Sequence, residues 1–455
     1  MTRLLIERLD RLVPMTDDDR ELSDAFVLVD DGVVREVGSG AATGAGEVDQ
    51  VIDGRGLVAL PGLVNTHHHF FQTLTRALPA AQNVRLLDWE ATNYPYWARL
   101  DEEAVFATAQ IAVAELLLSG CTTTSDQLYA FPKRSTGAVA MLGAEIEAAT
   151  GLGIRIQPTR GAVDIGPDQG GSRAKEFIEE TDAILASMEE AVARYHDPAP
   201  GSMVRIGLGP NGVTVCTEAL MRGCVELAEK HDLTLHTHVA EIPDEAAYTA
   251  EHFGMRPIER LAEYGWIGDR TWLAHAVYLN GSDIATCAAG GTAVAHCPSS
   301  NMRLASGAAP VMDMLDAGMI VALGVDGSAS NDSGNLLAEA RQAFLLSRVR
   351  ELDRLMTARQ ALRIATAGGA RALRRDDIGV VEAGRQADIA MFRVGDVPAA
   401  GFEHDPVAAL VLASTPRAHH VLVAGRSVVR DGQLVNADEA ALAEGHRAAV
   451  RRLVS

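Results

Sequence analysis

Histidine and carboxylate side chains at the ends of apolar runs are the features of this 455-residue sequence that could do chemistry. Thr66-His67-His68-His69 follows on Leu63-Val64-Asn65. In an extended strand residues i and i+2 share a face, so His67 and His69 can point one way together while His68 points the other. Imidazole suits a borderline divalent cation such as zinc, and an HxH pair fixes part of its geometry. The same pair can equally be two satisfied core histidines. A second run ends in His236-Thr237-His238-Val239-Ala240-Glu241. His238 is a candidate third ligand, and His236 shares its face two residues deeper. Glu241 stands just past the strand end, where it either reaches a water on the metal or is simply solvated. His275 closes Trp272-Leu273-Ala274, and Asp326 closes Val321-Ala322-Leu323-Gly324-Val325. A carboxylate ending such an apolar run needs a partner for its charge, which a metal or its water would supply. Each of these groups alone has an ordinary structural explanation. Together, on separate strand ends, they point to one site.

Those strand ends belong to a recurring pattern. Apolar runs precede His67 and fall at 121–124, 154–157, 204–208, 233–238, 271–275, 292–296 and 320–326, most of them separated by helix-length stretches such as Glu103 to Ser119. Eight such units predict an α/β chain closed into a (β/α)8 barrel, whose catalytic groups come from the carboxyl ends of the strands. The first sixty residues read differently. Ala25–Val29 and Val33–Val37 flank Asp30-Asp31-Gly32 as a hairpin, and Val51–Leu60 continues the strand-and-turn texture. Helical texture runs from Leu336 to about Arg374; short strands are then predicted at Gly379–Val381, Ala387–Phe392 and in a hairpin over His420–Val429. The expected organisation is an accessory β-sandwich from residues 1–60 plus 378–440, a barrel over 61–377 and a C-terminal helix over 441–455.

Composition narrows the partners. Forty Lys and Arg against 61 Asp and Glu give a formal net charge of −21, which argues against phosphate-backbone or anionic-membrane binding. The five scattered cysteines include no CxxC pair, so neither a disulfide scaffold nor a thiolate zinc site is expected. Charges interrupt the apolar residues of Met1–Arg8, and no apolar run is long enough to span a membrane; a soluble cytoplasmic protein is the expectation.

Pro61-Gly62-Leu63-Val64-Asn65-Thr66-His67-His68-His69, with His238, His275, Asp326 and Glu382-Ala383-Gly384-Arg385-Gln386-Ala387-Asp388, resembles the amidohydrolase superfamily over essentially the whole chain. Phe70–Arg76, Cys297–Leu304 and Gly327–Asp332 are most similar to its aminohydrolase branch, which also holds the s-triazine hydrolases. The resemblance implies that His67, His69, His238 and Asp326 bind a divalent metal, zinc or iron. Members with two metals bridge them through a strand lysine; the three lysines here, Lys133, Lys175 and Lys230, lie on no strand run, so one metal per chain is expected. The implied reaction is hydrolytic deamination of an amino-substituted N-heteroaromatic ring, an 8-oxoguanine-like purine or a pterin. Asp326 would take the proton of the attacking water, His275 would hold that water, and Glu241 would protonate a ring nitrogen and then help expel ammonia. Gln72, Arg160, Asn211, Trp89 and Tyr94 are the candidate substrate contacts, each equally compatible with loop packing. Two alternatives stand beside this reading: s-triazine dechlorination or dealkylamination at the same site, and a barrel that has lost its chemistry. Relatives are often homo-oligomers.

Overall fold

The computed structural model describes every residue except 1, 134, 136, 170–173, 351, 396, 414, 415 and 455. Its larger sheet is parallel throughout and consists of Leu63–Asn65, Cys121–Thr124, Gln127–Leu128, Arg155–Ile156, Thr159–Ala162, Gly207–Pro210, Thr234–Val239, Thr271–His275, Ala293–His296 and Val321–Leu323. The sheet order begins at Gln127–Leu128 and ends at Arg155–Ile156. Those two segments are the outer half of the second strand and the inner half of the third, each interrupted for two residues, at Ser125-Asp126 and Gln157-Pro158. Backbone hydrogen bonds carry the ladder across both breaks, from Gln157 N–H to Thr124 O and from Thr159 N–H to Asp126 O. The ring of eight strands is therefore closed. Every strand residue in it is buried apart from the partly buried His238, as expected for parallel strands covered by helices on one face and packed around a barrel axis on the other.

Helices wrap the barrel because their caps and apolar faces let them. Asp101 and Thr217 accept the backbone N–H groups of Ala104 and Leu220 at the starts of Glu102–Leu118 and Glu218–His231. Asn280 and Asp283 form a reciprocal box at the start of Gly281–Gly290.

The second sheet has nine strands drawn from both ends of the chain. Arg3–Leu12 pairs along its length with Leu22–Asp30, which continues antiparallel to Val33–Ser39. On its other side Gln50–Asp53 and Leu57–Pro61 lie end to end and parallel to it. Leu57–Pro61 then pairs with Ile389–Arg393, which leads to His420–Val423, Arg426–Arg430 and Gln433–Leu434. The sheet rolls until its first hairpin meets the C-terminal part, where Val34 N–H donates to Arg385 O and Ala387 N–H to Gly32 O. Leu4, Ile6, Leu9, Ile389, Met391 and Leu422 fill the enclosed face. One expected strand is absent: Gly379–Val381 is irregular, since Gly379 has a φ of 83° and only Val381 N–H reaches a neighbouring segment, at Pro14 O. The final helix runs over Glu439–Leu453 and packs on Glu102–Leu118.

The two sheets are joined covalently by Pro61-Gly62 and electrostatically by a buried ion pair. Arg155, on the third barrel strand, donates from Nε and Nη2 to the two carboxylate oxygens of Asp388 at 2.8 and 3.1 Å, and from Nη1 to Gly201 O. Removing one partner leaves an unpaired charge in a dry interior, which costs several kcal/mol. Asp388→Ala is expected to lower unfolding stability by about 3–5 kcal/mol, measured as a shift of the denaturant midpoint; a change within experimental error would show that the pair does not hold the sheets together.

Candidate active site

At the carboxyl end of the barrel the first, fifth, sixth and eighth strands converge. His67 and His69 follow Leu63–Asn65 with the shared-face geometry expected of an HxH pair, their rings edge to face at 4.7 Å. His68 turns away: its Nδ1 accepts the His69 backbone N–H and its ring lies against Phe70. His69 Nε2 stands 3.3 Å from His238 Nε2 and 3.4 Å from Asp326 Oδ1, and His67 Nε2 stands 3.3 Å from the same Asp326 oxygen. Four ligands at about 2.0–2.1 Å around a tetrahedral ion sit about 3.3–3.4 Å apart. The observed spacing matches.

The imidazole tautomers follow from what lies behind the rings. A carbonyl oxygen can only accept, so His236 Nδ1–H donates to Trp272 O at 2.8 Å, leaving Nε2 as an acceptor. That acceptor takes the proton of His67 Nδ1 at 2.8 Å. His67 Nε2 is thus left with a bare lone pair, buried and without a hydrogen-bond partner. In the same way His69 Nδ1–H donates to Gln127 O and His238 Nδ1–H to Asn211 O, which turns both Nε2 lone pairs inward. Burial holds the histidines in the neutral form that ligates: His69 is pushed down to about 3, and His238 lies well below the usual imidazole range. Asp326 is held as a carboxylate by the hydrogen bonds it accepts from the Ser300 and Ser330 hydroxyls and from Gly327 N–H. A buried carboxylate grouped with the Nε2 atoms of His67, His69 and His238 is a donor set for a divalent cation. Two overlapping groups of three, His67 with His69 and Asp326, and His67 with His238 and His275, have ligand atoms close enough to share one ion. None of the three lysines is on a barrel strand, so no strand lysine is placed to bridge a second ion.

The backbone is bent to make this possible. His275 and Asp326 have φ values of 69° and 60°, the left-handed region that non-glycine residues adopt at a cost of order 1–3 kcal/mol. Asp326 N–H donates to His67 O at 3.0 Å, Val325 N–H to Asn65 Oδ1 at 2.9 Å, and Ser300 and Ser330 hydroxyls both donate to Asp326 Oδ2. Gly324 and Gly327 flank the aspartate at sites with no room for a Cβ, one facing His67 Cβ at 2.6 Å and the other the Gln72 amide.

His275 Nδ1–H donates to Asn301 Oδ1 at 2.9 Å, and its Nε2 faces Glu241 Oε2 at 3.7 Å. Ser306 donates to Glu241 Oε1. His238, His275, Asp326 and Glu241 all line one cavity with Gln72, Trp89 and Asn211. Trp89 Nε1–H is tied to Ala329 O and Gln72 Nε2–H to the Tyr129 hydroxyl, so both are held in the wall.

Two expected substrate contacts lie elsewhere. Arg160 points out of the barrel, where both terminal nitrogens bond the Glu179 carboxylate at 2.9 and 2.6 Å and Nε reaches Ser187 on helix Thr181–Tyr195. Its neighbour Thr159 takes the opposite side, as the two-residue period of a strand requires. Tyr94 sits one helical turn beyond Glu90, its ring packed on Trp97 and Phe177 and outside the cavity lining. Conversely, Glu90, Asp244 and Glu245 line the cavity without having been singled out, and His236 and Asn301 support the ring orientations. For Glu245 helix spacing gave no signal, because Glu241 precedes the helix Pro243–Phe253 that carries it. For Glu90 there was none either.

Comparison with known proteins places this geometry. Residues 58–428 match the amidohydrolase family. The chain is 43% identical over 429 residues to 8-oxoguanine deaminase of Pseudomonas aeruginosa, covering 94% of this chain and 95% of that one. It is 34% identical over 447 residues to hydroxydechloroatrazine ethylaminohydrolase of Pseudomonas sp. strain ADP, covering 95% and 92%. Among solved structures, atrazine chlorohydrolase from Arthrobacter aurescens TC1 in complex with zinc superposes with a TM-score of 0.94 at 37% identity, covering 98% of this chain and all of that one. The chain belongs to the amidohydrolase family.

Proposed function

We propose that this protein is a metal-dependent aminohydrolase that removes an exocyclic amino group from an N-heteroaromatic ring, an 8-oxoguanine-like purine or a pterin, as ammonia. The observation that carries the reading is the convergence of His67, His69, His238 and Asp326 at tetrahedral-edge spacing in a cavity that also holds Glu241 and His275. The likeness to 8-oxoguanine deaminase over nearly the whole chain supports the substrate class. These four residues would hold one divalent ion, zinc by the chemistry of an imidazole-rich set with one carboxylate. When bound, such an ion would supply Lewis-acid activation of the water that attacks the amino-bearing carbon.

The chain's own groups do the rest. Asp326, ionised and fixed by Ser300 and Ser330, accepts the water's proton. His275, locked by Asn301 with Nε2 toward the cavity, orients that water. Glu241 delivers its proton to the ring nitrogen as the nucleophile adds; the proton taken by Asp326 then passes to the departing amine, and the hydroxyl proton of the adduct returns to Glu241, so that ammonia rather than an amide anion leaves and both carboxyls are restored. Gln72, Trp89 and Asn211 hold the ring, Gln72 through an amide that can pair with adjacent ring carbonyl and N–H groups.

His236 never touches the ion but sets the tautomer of His67. His236→Phe keeps the ring stacked on Trp272 and removes the acceptor, so metal affinity is expected to fall by about 10–100-fold. Competition with a chelator of known affinity measures this; unchanged affinity would sever the proposed link between the two rings. The same donor set would serve s-triazine hydrolysis, and the likeness to the zinc-bound chlorohydrolase keeps that as the second reading. Steady-state release of ammonia or chloride from purines, pterins and chlorotriazines separates the two.

A further inference from the structure

The wall of the cavity carries a charge pattern beyond what the metal chemistry uses. Glu90, Asp244 and Glu245 line it in addition to Asp326 and Glu241, and among the described residues no lysine or arginine does. Glu90 is 6% exposed and follows Trp89 on helix Leu86–Trp97. Glu245 stands one turn into helix Pro243–Phe253, with Oε2 accepting the Glu241 backbone N–H. Leu86, Leu87 and Leu304 add apolar surface to the same lining. Arg160, the one cation among the expected substrate contacts, is committed to Glu179 outside the barrel.

Carboxylates accept hydrogen bonds and repel anions. In a partly dry cleft, where water screens poorly, several of them together strongly oppose the entry of a further negative charge. Ring N–H groups are the natural partners for such acceptors.

We propose that this wall selects uncharged, N–H-rich heterocycles and turns away ligands bearing phosphate or carboxylate, with Glu90 and Glu245 as the side chains that read the ring's N–H groups. The choice of ring rests on the deaminase reading; the charge selection does not. Burial pushes the Glu245 carboxyl up to about 8, so near neutrality it is mostly protonated and offers the ring a donor as well as an acceptor, while the repulsion of anions falls to Glu90 and Asp244. Deamination puts a carbonyl where the amino group was and makes the ring the stronger acid, so the same wall disfavours the product and speeds its departure.

The test is calorimetric binding to zinc-loaded enzyme of two hypoxanthine derivatives that differ by one charge, the ring bearing a carboxymethyl arm and the ring bearing a carbamoylmethyl arm. Neither carries an exocyclic ring amine to be hydrolysed. The amide is expected to bind at least about 10-fold more tightly than the acid, and Glu90→Gln is expected to narrow that gap below about threefold with metal content unchanged. Equal binding of acid and amide, or a Glu90→Gln variant with the parent gap, overturns the proposal. If the arms prevent both from binding, the KM for 8-oxoguanine decides: a rise of about 10-fold in Glu90→Gln with kcat retained supports the assignment, and an unchanged KM overturns it. A binding gap that persists in an enzyme releasing no ammonia from any aminopurine would retire the deaminase reading and leave the charge selection standing.

Discussion

Glu241→Gln is expected to lower kcat for deamination by about 10²–10⁴-fold while the protein keeps its metal. The substitution preserves shape and hydrogen bonding to Ser306 but removes the carboxyl proton held beside His275 Nε2. Because Glu241 is outside the proposed ligand set, loss of turnover and loss of metal come apart in this variant. Turnover measured together with metal content reads both; near-normal kcat with metal bound would remove the assignment. The leaving group gives a second handle. Chloride departs without a proton, so a chlorotriazine substrate would suffer a much smaller loss than an aminopurine.

Asp326→Asn removes the charge and keeps the outline. The left-handed backbone at φ 60° accepts asparagine as readily as aspartate, and the Ser300 and Ser330 hydroxyls can reverse to accept from the amide. The fold should therefore persist. The neutral amide is a poor ligand and no base, so metal affinity is expected to fall beyond the roughly 10–100-fold typical of a supporting residue. Turnover at saturating zinc is expected to stay at least about 10³-fold below the parent, the scale of a lost acid–base group. Zinc titration with thermal unfolding tests it, and a variant that binds zinc as the parent does would exclude Asp326 from the ligand set.

The parts of this site that are legible in the sequence are those governed by strand period. His67 and His69 point inward and His68 outward because alternation leaves no other choice, and His238, His275 and Asp326 could be located because each ends an apolar run in a parallel strand. Arg160 escaped the same logic because Pro158 interrupts its strand and hides the parity that sends Thr159 one way and Arg160 the other. Tyr94 and Glu90 lie four apart on one helix, yet helix phase alone does not reveal where the cavity stops along the axis. Acidic residues such as Glu90 and Glu245 look solvated in any helix read alone; only the assembled roof turns them inward. The tautomer relay from Trp272 O through His236 to His67 depends on contacts between three strands, which no spacing rule encodes. The irregular Gly379–Val381 had the residues of a strand and lacked a neighbour to pair with along its length.

The most direct test of the central claim is ammonia release from 8-oxoguanine, isoxanthopterin, aminopyrimidines and s-triazines by protein of measured metal content. The account predicts strong release from 8-oxoguanine or isoxanthopterin at about one divalent ion per chain, abolished by chelation and restored by zinc. Fully metal-loaded protein that releases no ammonia from any ring in the panel would contradict it.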